Sequence, residues 1–257
     1  MLPNTLVTGP QDAPALVLIN SLGSDLSMWE PQVGPLAEHL RLVRFDARGH
    51  GGTAAPDGPY SIADLAGDVV DVLDGLDVRR ASVCGISLGG MVAIWLGVNA
   101  ADRIERLVLS CTAAHLPPVS NWTERAAAVR AAGSPAPLAD TVVGRWLTPE
   151  HAAADPGLRE RLRAMIAGTD GEAYALCCEA IGGFDERASL TSISAPTLVI
   201  GGDCDPSIPN EHQRELAAAI PGARLEILSP AAHLANLDLP ARFNALVVEH
   251  LSVSANA

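Results

Sequence analysis

Residues 81–97 read ASVCGISLGGMVAIWLG and contain the pattern G-x-S-x-G, with Ser87 at its centre. The residues before the pattern are apolar and typical of a buried strand, and those after it have the spacing of a helix. In a strand–turn–helix setting the serine stands on a sharp, strained turn, and the flanking glycines let the strand and the helix approach closely. We therefore predict that Ser87 is a nucleophile at the end of a strand, with the N-terminus of the next helix favouring negative charge beside it.

The rest of the chain alternates between short apolar runs and helical patterns. Strands are predicted at Ala15–Ile19, Leu42–Phe45, Ala81–Cys84, Leu107–Ser110, Thr197–Ile200 and Leu225–Leu228. Helices are predicted between them at Met28–Leu40, Ile62–Leu76, Leu88–Ala100, Asn210–Ile220 and Pro240–Leu251. Such alternation indicates βαβ units and predicts an α/β fold, in which a mostly parallel central sheet carries helices on both faces.

The alternation stops between residues 115 and 190. This interval is rich in Ala, Arg and Pro, and helical patterns lie at Trp122–Ala132, Leu138–Trp146, Gly157–Ala167 and Gly171–Ile181. We interpret residues 115–190 as a helical cap inserted between strands, and residues 1–114 and 191–257 as the core domain. A separate helical domain is the alternative, but the strand pattern resumes directly afterwards. A cap would lie over the carboxyl ends of the strands, where open α/β sheets bind ligands.

Composition narrows the class of protein. The chain has 257 residues and a net charge of −13, and its basic residues are all arginine; no basic face for nucleic acid is visible. No apolar run reaches the length of a membrane span, and residues 1–14 do not resemble a signal peptide. The five cysteines are odd in number and form no C-x-x-C pair, so neither a disulfide framework nor a metal site is predicted. We expect a cytoplasmic protein, and a homo-oligomer is compatible with the sequence.

A serine hydroxyl needs a general base, and the base needs an acid to orient it. With this serine motif the expected order along the chain is serine, then Asp or Glu, then His. The segment GGDCDPSIP, residues 201–209, follows a predicted strand and offers Asp203 and Asp205. Asp205 is favoured as the acid because it leads into a proline-bounded turn before a helix. Asp203 is better suited to bonding the backbone of the loop.

The general base is sought among seven histidines. Only His233 follows the acid and lies between the last strand and the last helix, so we predict that it is the base. His115 opens the cap and is a candidate for lining the pocket. The other histidines are assigned to solvent-facing helix surfaces (His39, His212 and His250), an exposed cap position (His151) and a loop brace (His50).

Attack on an ester carbonyl creates an oxyanion, which needs two preorganised hydrogen-bond donors. One donor is expected to be the backbone N–H of Leu88, directly after the nucleophile. The second must come from the loop that follows the strand Ala15–Ile19, and we assign it to the backbone N–H of Leu22. Ser21, in the same loop, is then a loop residue rather than a nucleophile.

Several stretches resemble the α/β-hydrolases and, within them, the 3-oxoadipate enol-lactonases. They are NSLGSDLSMW (20–29), FDARGHGGT (45–53), CGISLGGMVAIWLGVNAADRIERLVLSCTAA (84–114), YALCCEAI (174–181), GGDCDPSIP (201–209) and AAHLANLDLP (231–240). The resemblance runs nearly the whole length of the chain. Asn20-Ser21, where most relatives carry His-Gly, and the adjacent Cys177-Cys178 narrow it to the enol-lactonases.

The resemblance implies an α/β-hydrolase fold and a reaction. Water would open 3-oxoadipate enol-lactone to 3-oxoadipate, a step in the bacterial breakdown of protocatechuate or catechol, with no cofactor. A carboxylesterase, or another lactone or carbon–carbon hydrolase with the same triad, is the alternative. A non-catalytic binding protein of this fold is disfavoured because all three triad residues are present.

The implied substrate is a small anionic lactone, whereas the protein is strongly acidic. Overall charge therefore cannot steer the substrate, and a local arginine must pair with its carboxylate. Two clusters in the cap combine arginine with an aromatic side chain: Trp122 with Arg125, and Arg145 with Trp146. We take these four residues as candidates for substrate binding. For each arginine taken singly, an ion pair on a helix surface is the alternative.

Overall fold

The computed structural model describes residues 3–252, and a seven-stranded sheet forms its centre. The strands are β1 (Thr5–Thr8), β2 (Ala15–Ile19), β3 (Arg41–Phe45), β4 (Ala81–Ile86), β5 (Ile104–Ser110), β6 (Thr197–Gly202) and β7 (Arg224–Leu228). Their order is β1-β3-β2-β4-β5-β6-β7, with β1 antiparallel to β3 and all other pairs parallel. The prediction of a mostly parallel α/β sheet is therefore confirmed.

Strand β1 is the one strand within residues 3–252 that the sequence analysis missed. It lies at the edge of the sheet, and Leu6 and Val7 are 45% and 38% exposed. An edge strand of four residues with exposed apolar side chains lacks the buried run by which the other strands are recognised. By contrast, every residue of the central strand β4 is buried.

Helices cover both faces of the sheet. They are α1 (Glu30–Ala37), α2 (Ile62–Gly75), α3 (Leu88–Asn99), α4 (Val119–Ala132), α5 (Ala139–Trp146), α6 (Pro149–Ala154), α7 (Pro156–Gly168), α8 (Gly171–Gly182), α9 (Asn210–Ala219), α10 (Ala235–Asp238) and α11 (Pro240–Ser252). Four short 3-10 turns occur at Leu26–Trp29, Ala101–Arg103, Ala136–Leu138 and Leu190–Ser192. Helices α2, α3 and α9 pack on one face of the sheet, and α1, α10 and α11 pack on the other. None of the helices within residues 3–252 has the length and apolar character needed to cross a membrane.

Local sequence explains why α2 and α3 form where they do. Helix α2 begins with a capping box, in which Ser61 and Asp64 bond each other's backbone N–H groups. Its buried residues recur at helical spacing and form one apolar face. Helix α3 is buried on nearly all sides, because it starts at the serine turn and runs between the sheet and α2. The element behind Ser87 is therefore held on every side.

Helices α4 to α8 lie between β5 and β6 in the chain, and residues 111–196, all of which the structure describes, add no strand to the sheet. Helices α4 and α8 pack against each other, as do α5 and α7. The end of α5 is fastened to the loop after β7, where the N–H of Leu234 donates to the carbonyl of Trp146 at 2.8 Å. The buried carboxylate of Asp238 adds a second link, since it accepts from the N–H of Thr148 and from the N–H of Ala232. The helical insertion is thus bonded directly to the core beside His233.

Candidate active site

Ser87 stands on the turn between β4 and α3. Its φ of 57° and ψ of −117° are values that residues with side chains rarely adopt. A Cβ at Gly85 would lie only 2.1 Å from the carbonyl oxygen of Gly89, and a Cβ at Gly89 would lie 2.2 Å from the carbonyl oxygen of Ile19. Only glycine fits at either position, so the two flanking glycines are what allow the sharp turn. The turn leaves Ser87 half-buried, at the carboxyl end of the central strand.

His233 and Asp205 form a buried pair. The Nδ1 atom of His233 lies 2.8 Å from Oδ2 of Asp205, and the two residues are 3% and 7% exposed. The other carboxylate oxygen accepts hydrogen bonds from the backbone N–H groups of Ser207, at 2.7 Å, and Ile208, at 3.1 Å. An ionised carboxylate only accepts, so the histidine carries its proton on Nδ1 and leaves the lone pair of Nε2 free. This is the tautomer that a general base needs.

The structure places Asp205, and not Asp203, against His233. Asp203 is exposed, and its Oδ1 accepts from the backbone N–H of Ala231 at 3.2 Å. Its hydrogen bond with the Ser229 side chain is the main cause that lowers the pKa of the Asp203 carboxyl. Asp203 thus bonds the loop backbone.

Ser87 and His233 line the same cavity of about 50 Å³. The remaining lining residues are Ser21, Leu22, Trp122, Arg125, Val142, Arg145, Trp146, Tyr174, Ile181, Ser207 and Ile208. Four of them (Trp122, Arg125, Arg145 and Ser207) also line a surface groove of about 450 Å³. The structure therefore brings both predicted aromatic–arginine clusters to one cavity with the serine and the histidine. Val142, Tyr174 and Ile181 were missed because their helical spacing is the same as that of ordinary core residues.

His115 does not line this cavity or the groove, and the expectation that it contacts the pocket is wrong. Its Nδ1 lies 3.0 Å from the carbonyl oxygen of Phe184 and 4.0 Å from the carboxylate of Asp185. The backbones of His115 and Asp185 also pair as an isolated antiparallel bridge. This bridge joins the start of the insertion to its end, where the His115 side chain contacts Phe184 and Asp185.

Two other histidines also differ from expectation. His250 is 5% exposed, because its face of α11 packs on the core, and its Nε2 lies 3.2 Å from the carbonyl oxygen of Pro196. Burial lowers the pKa of His250. His151 is half-buried, with its Nδ1 2.9 Å from Oδ1 of Asp238. In both cases the partner is distant in sequence, so helical spacing alone could not identify the buried side.

The loop after β2 is fixed by buried hydrogen bonds. The side chain of Asn20 donates to the carbonyl of Phe45 at 2.9 Å and accepts from the indole N–H of Trp29 at 2.9 Å. The N–H of Gly23 donates to Nε2 of His50 at 3.0 Å, and Nδ1 of His50 bonds the carbonyl of Arg48 at 2.8 Å. His50 therefore braces this loop as a neutral ring, and its complete burial lowers its pKa.

Leu22 and Leu88 carry the two backbone N–H groups expected to stabilise an oxyanion. Leu22 belongs to the braced loop after β2, and Leu88 is the first residue of α3. Within residues 3–252 neither N–H group has a hydrogen-bond acceptor. Leu22 lines the cavity, and Leu88 directly follows Ser87, which also lines it, so the two donors are available to a group bound next to Ser87.

Four of the seven arginines of the insertion form ion pairs, and Arg161, which forms none within residues 3–252, does not line the cavity of Ser87. Arg130 pairs with Glu172 and Glu179, Arg159 and Arg163 pair with Asp140, and Arg187 pairs with Asp185. Arg125 and Arg145 form no ion pair with any residue from 3 to 252. The guanidinium of Arg125 lies 5.6 Å from the ring centroid of Trp122. The two arginines at the cavity are thus cations without an acidic protein partner in the described chain.

No group of three His, Cys, Asp or Glu side chains that could hold a metal ion occurs among the described residues. The arrangement around Ser87 is instead that of a nucleophile, a base with an oriented ring, and two backbone donors. This combination is suited to acyl transfer from an ester or a lactone.

Comparison with known proteins agrees with this chemistry. Residues 14–240 match the family described as the alpha/beta hydrolase fold. The chain is 38% identical to 3-oxoadipate enol-lactonase 2 of Acinetobacter baylyi, over 94% of this chain and 90% of that protein. It is 31% identical to a putative carbamate hydrolase of Variovorax paradoxus, over 96% and 94% of the two chains. The crystal structure of the enol-lactonase from Burkholderia xenovorans superimposes with a TM-score of 0.94 and 42% identity, covering 97% of this chain and 96% of that one.

Proposed function

The chain belongs to the α/β-hydrolase family, in the group that contains the 3-oxoadipate enol-lactonases, and from that premise we propose that it hydrolyses 3-oxoadipate enol-lactone to 3-oxoadipate. One observation carries the proposal. Ser87, the His233–Asp205 pair, and Arg125 and Arg145, which pair with no acid in residues 3–252, meet at a single cavity. The first three can open a lactone, and the arginines suit a lactone that carries a carboxylate.

The first step is acylation of the serine. His233 takes the hydroxyl proton of Ser87 on Nε2, and the serine oxygen forms a bond to the lactone carbonyl carbon. Asp205 holds the ring in the right tautomer and stabilises the imidazolium that forms. The carbonyl oxygen gains the negative charge, and the N–H groups of Leu22 and Leu88 donate to it.

The second step opens the ring. The bond between the carbonyl carbon and the ring oxygen breaks, and its electron pair leaves on the ring oxygen as an enolate. The proton held by His233 neutralises the enolate, and the enol becomes the ketone. His233 then takes a proton from water, the resulting hydroxide attacks the acyl group, and Ser87 recovers its proton as the acid is released. One lactone and one water thus give one keto acid.

The carboxylate of the substrate would lie at the cap side of the cavity. A net charge of −13 repels an anion at long range, so local cations must supply the attraction. Arg125 and Arg145 are suited to this role because no acid of the described chain neutralises them. Trp122 and Trp146 add an apolar wall beside the two guanidinium groups.

A carboxylesterase would use the same triad, so the test must compare two substrates. Purified protein is mixed with the enol-lactone, and loss of the ultraviolet absorbance of the lactone is followed alongside hydrolysis of p-nitrophenyl acetate. We expect kcat/KM to be at least about 10²-fold higher for the lactone than for the ester. A site whose polar groups pair with one substrate discriminates strongly against a substrate that lacks the matching group. Faster hydrolysis of the neutral ester would instead identify a carboxylesterase.

We also assign the reaction to the cytoplasm. All five cysteines are free, and four of them are buried. Free buried thiols are usual in a reducing compartment.

A further inference from the structure

Tyr174, in α8, is a buried residue of the cavity to which the sequence analysis assigned no role. The residue is 1% exposed and lines the same cavity as Ser87 and His233. Its hydroxyl is buried and has no hydrogen-bond partner within residues 3–252. Burying a hydroxyl without a partner is unfavourable, and such groups in folded proteins call for an explanation. A bound substrate that accepts a hydrogen bond from the hydroxyl would provide this explanation.

The aromatic ring of Tyr174 lies beside the braced loop after β2. A Cβ at Gly23 would be 3.1 Å from Cε2 of the tyrosine ring and 3.8 Å from Cδ2. The edge of the ring formed by Cε2 and Cδ2 therefore faces Gly23. Gly23 directly follows Leu22, whose N–H faces no protein acceptor among the described residues. The ring of Tyr174 therefore lies beside the loop that carries Leu22, in the cavity that Ser87 also lines.

The hydroxyl is a donor under ordinary conditions. Burial raises the pKa of Tyr174 to about 12, although the positive charge of Arg125 lowers it in part. The group therefore stays protonated in neutral solution. It can donate a hydrogen bond to a developing anion while keeping its own proton.

We propose that the Tyr174 hydroxyl donates a hydrogen bond to the ring oxygen of the lactone, the atom that leaves as the enolate oxygen. The inference rests on the proposed function. The carbonyl oxygen of the lactone accepts hydrogen bonds from the backbone N–H groups of Leu22 and Leu88. The ring oxygen is bonded to the same carbon, and no other protein donor is assigned to it. When the carbon–oxygen bond breaks, its electron pair moves onto that oxygen, and the hydrogen bond strengthens. Tyr174 transfers no proton, and the proton on His233 completes the step.

The test compares Tyr174→Phe with Tyr60→Phe. Tyr60 is the other tyrosine of the chain, and its hydroxyl donates to the carbonyl of Pro56, outside the cavity. For the enol-lactone, Tyr174→Phe should lower kcat by about 10²-fold with little change in KM, as expected for losing one donor to a developing oxyanion. Tyr60→Phe should leave kcat and KM unchanged. The melting temperature of Tyr174→Phe should be no lower than that of the wild type, because an unpaired buried hydroxyl is removed.

A series of substituted phenyl acetates gives a readout independent of the natural substrate. In these esters the phenol oxygen takes the place of the ring oxygen. The rate loss in Tyr174→Phe should grow as the leaving phenol becomes more basic, because a poorer leaving group depends more on the donor. If the wild type does not open the enol-lactone at all, the proposed function fails, but the phenyl acetates still decide the role of Tyr174.

Three results would overturn the inference. The first is an unchanged kcat for the lactone in Tyr174→Phe together with a phenyl acetate series parallel to that of the wild type. The second is a loss that appears only in KM and only with substrates that carry a carboxylate, since the hydroxyl would then serve the carboxylate. The third is a lowered melting temperature with equal rate losses for all leaving groups, which would indicate a structural role.

Discussion

The core and cap sides of the cavity are built differently. On the core side the polar side chains are tied to the protein: Asp205 holds His233, two backbone N–H groups hold Asp205, and His50 braces the loop of Leu22. On the cap side the indole N–H of Trp122 donates to the carbonyl of Leu116, but three other polar side chains have no such partner in the described chain. Arg125 and Arg145 have no acidic partner, and the Tyr174 hydroxyl has no hydrogen-bond partner, within residues 3–252.

This difference suggests a division of labour. Groups that react must be held in one geometry before the substrate arrives, and hydrogen bonds to the protein do this. Groups that select a substrate must keep their donors for it. We therefore expect changes on the core side to lower the rate for every substrate, and changes on the cap side to affect some substrates more than others.

Removing the nucleophile should have the largest effect. Ser87→Ala is expected to lower kcat for the enol-lactone and for p-nitrophenyl acetate by at least about 10⁴-fold, because both reactions begin at this oxygen. The melting temperature should stay close to that of the wild type. Activity near the wild-type rate in a protein shown by mass spectrometry to carry the change would falsify the role of Ser87.

The two neighbouring aspartates provide a matched pair. Asp205→Asn should lower kcat by about 10⁴-fold for both substrates, because the amide favours the wrong tautomer of His233. Asp203→Asn should have little effect on kcat, since Asp203 bonds only the loop. Steady-state values of kcat for both variants show which aspartate orients His233. An active Asp205→Asn beside an inactive Asp203→Asn would transfer the acid role to Asp203.

The hydrogen bonds of Asp238, which connect the core to the cap, should stabilise the fold. Asp238→Ala removes the acceptor of two N–H groups, those of Thr148 and Ala232, and should lower the free energy of unfolding by about 2 to 4 kcal/mol. Urea denaturation measures this change. The control is Asp140→Ala, at an exposed ion pair with Arg163, where a change below about 1 kcal/mol is expected. Equal effects of the two substitutions would mean that Asp238 does not join the two sides.

The smallest expected effect is a loss of folding stability at acid pH. His50 has an ordinary pKa of 6.5, and burial lowers its pKa in the folded protein. The unfolded chain therefore binds a proton below pH 6.5 that the folded chain does not, so stability is lost as the pH falls below that value. The slope from one such group is at most about 1.4 kcal/mol per pH unit.

Denaturation between pH 7 and pH 5 tests the role of His50. His50→Gln should flatten the pH dependence of stability, whereas His39→Gln, at an exposed position, should leave it unchanged. His250 is also buried with a lowered pKa, so part of the slope should remain in His50→Gln. The same slope in His50→Gln and in the wild type would contradict the account of His50 as a neutral brace.

The core side could be predicted from the sequence almost residue by residue. Strands β2, β4 and β6 are fully buried runs, and the motifs at 85–89 and 201–209 lie at the ends of β4 and β6. The motif at 231–240 follows β7, which is only partly buried. In a parallel sheet these positions must come together at one edge. Chain order, together with the position between the last strand and the last helix, therefore selected His233 from seven histidines.

The cap side could be predicted only in outline. Its helices follow from spacing, but the direction of a side chain depends on partners far away in sequence. Arg125 and Arg130 lie on the same helix, yet only Arg130 meets the glutamates of α8. His115 turns towards Asp185, and Tyr174 meets Gly23 across the cavity. None of these contacts has a local sequence signal.

The division of labour is tested most directly by the ratio of kcat/KM for the enol-lactone to kcat/KM for p-nitrophenyl acetate. We predict that Arg125→Gln/Arg145→Gln lowers this ratio by about 10²-fold or more, through a higher KM for the anionic lactone, and leaves the ester unchanged. Arg187→Gln, which removes an exposed cap arginine paired with Asp185, should keep the wild-type ratio. An unchanged ratio in the double variant, with both substrates affected equally or not at all, would contradict the account.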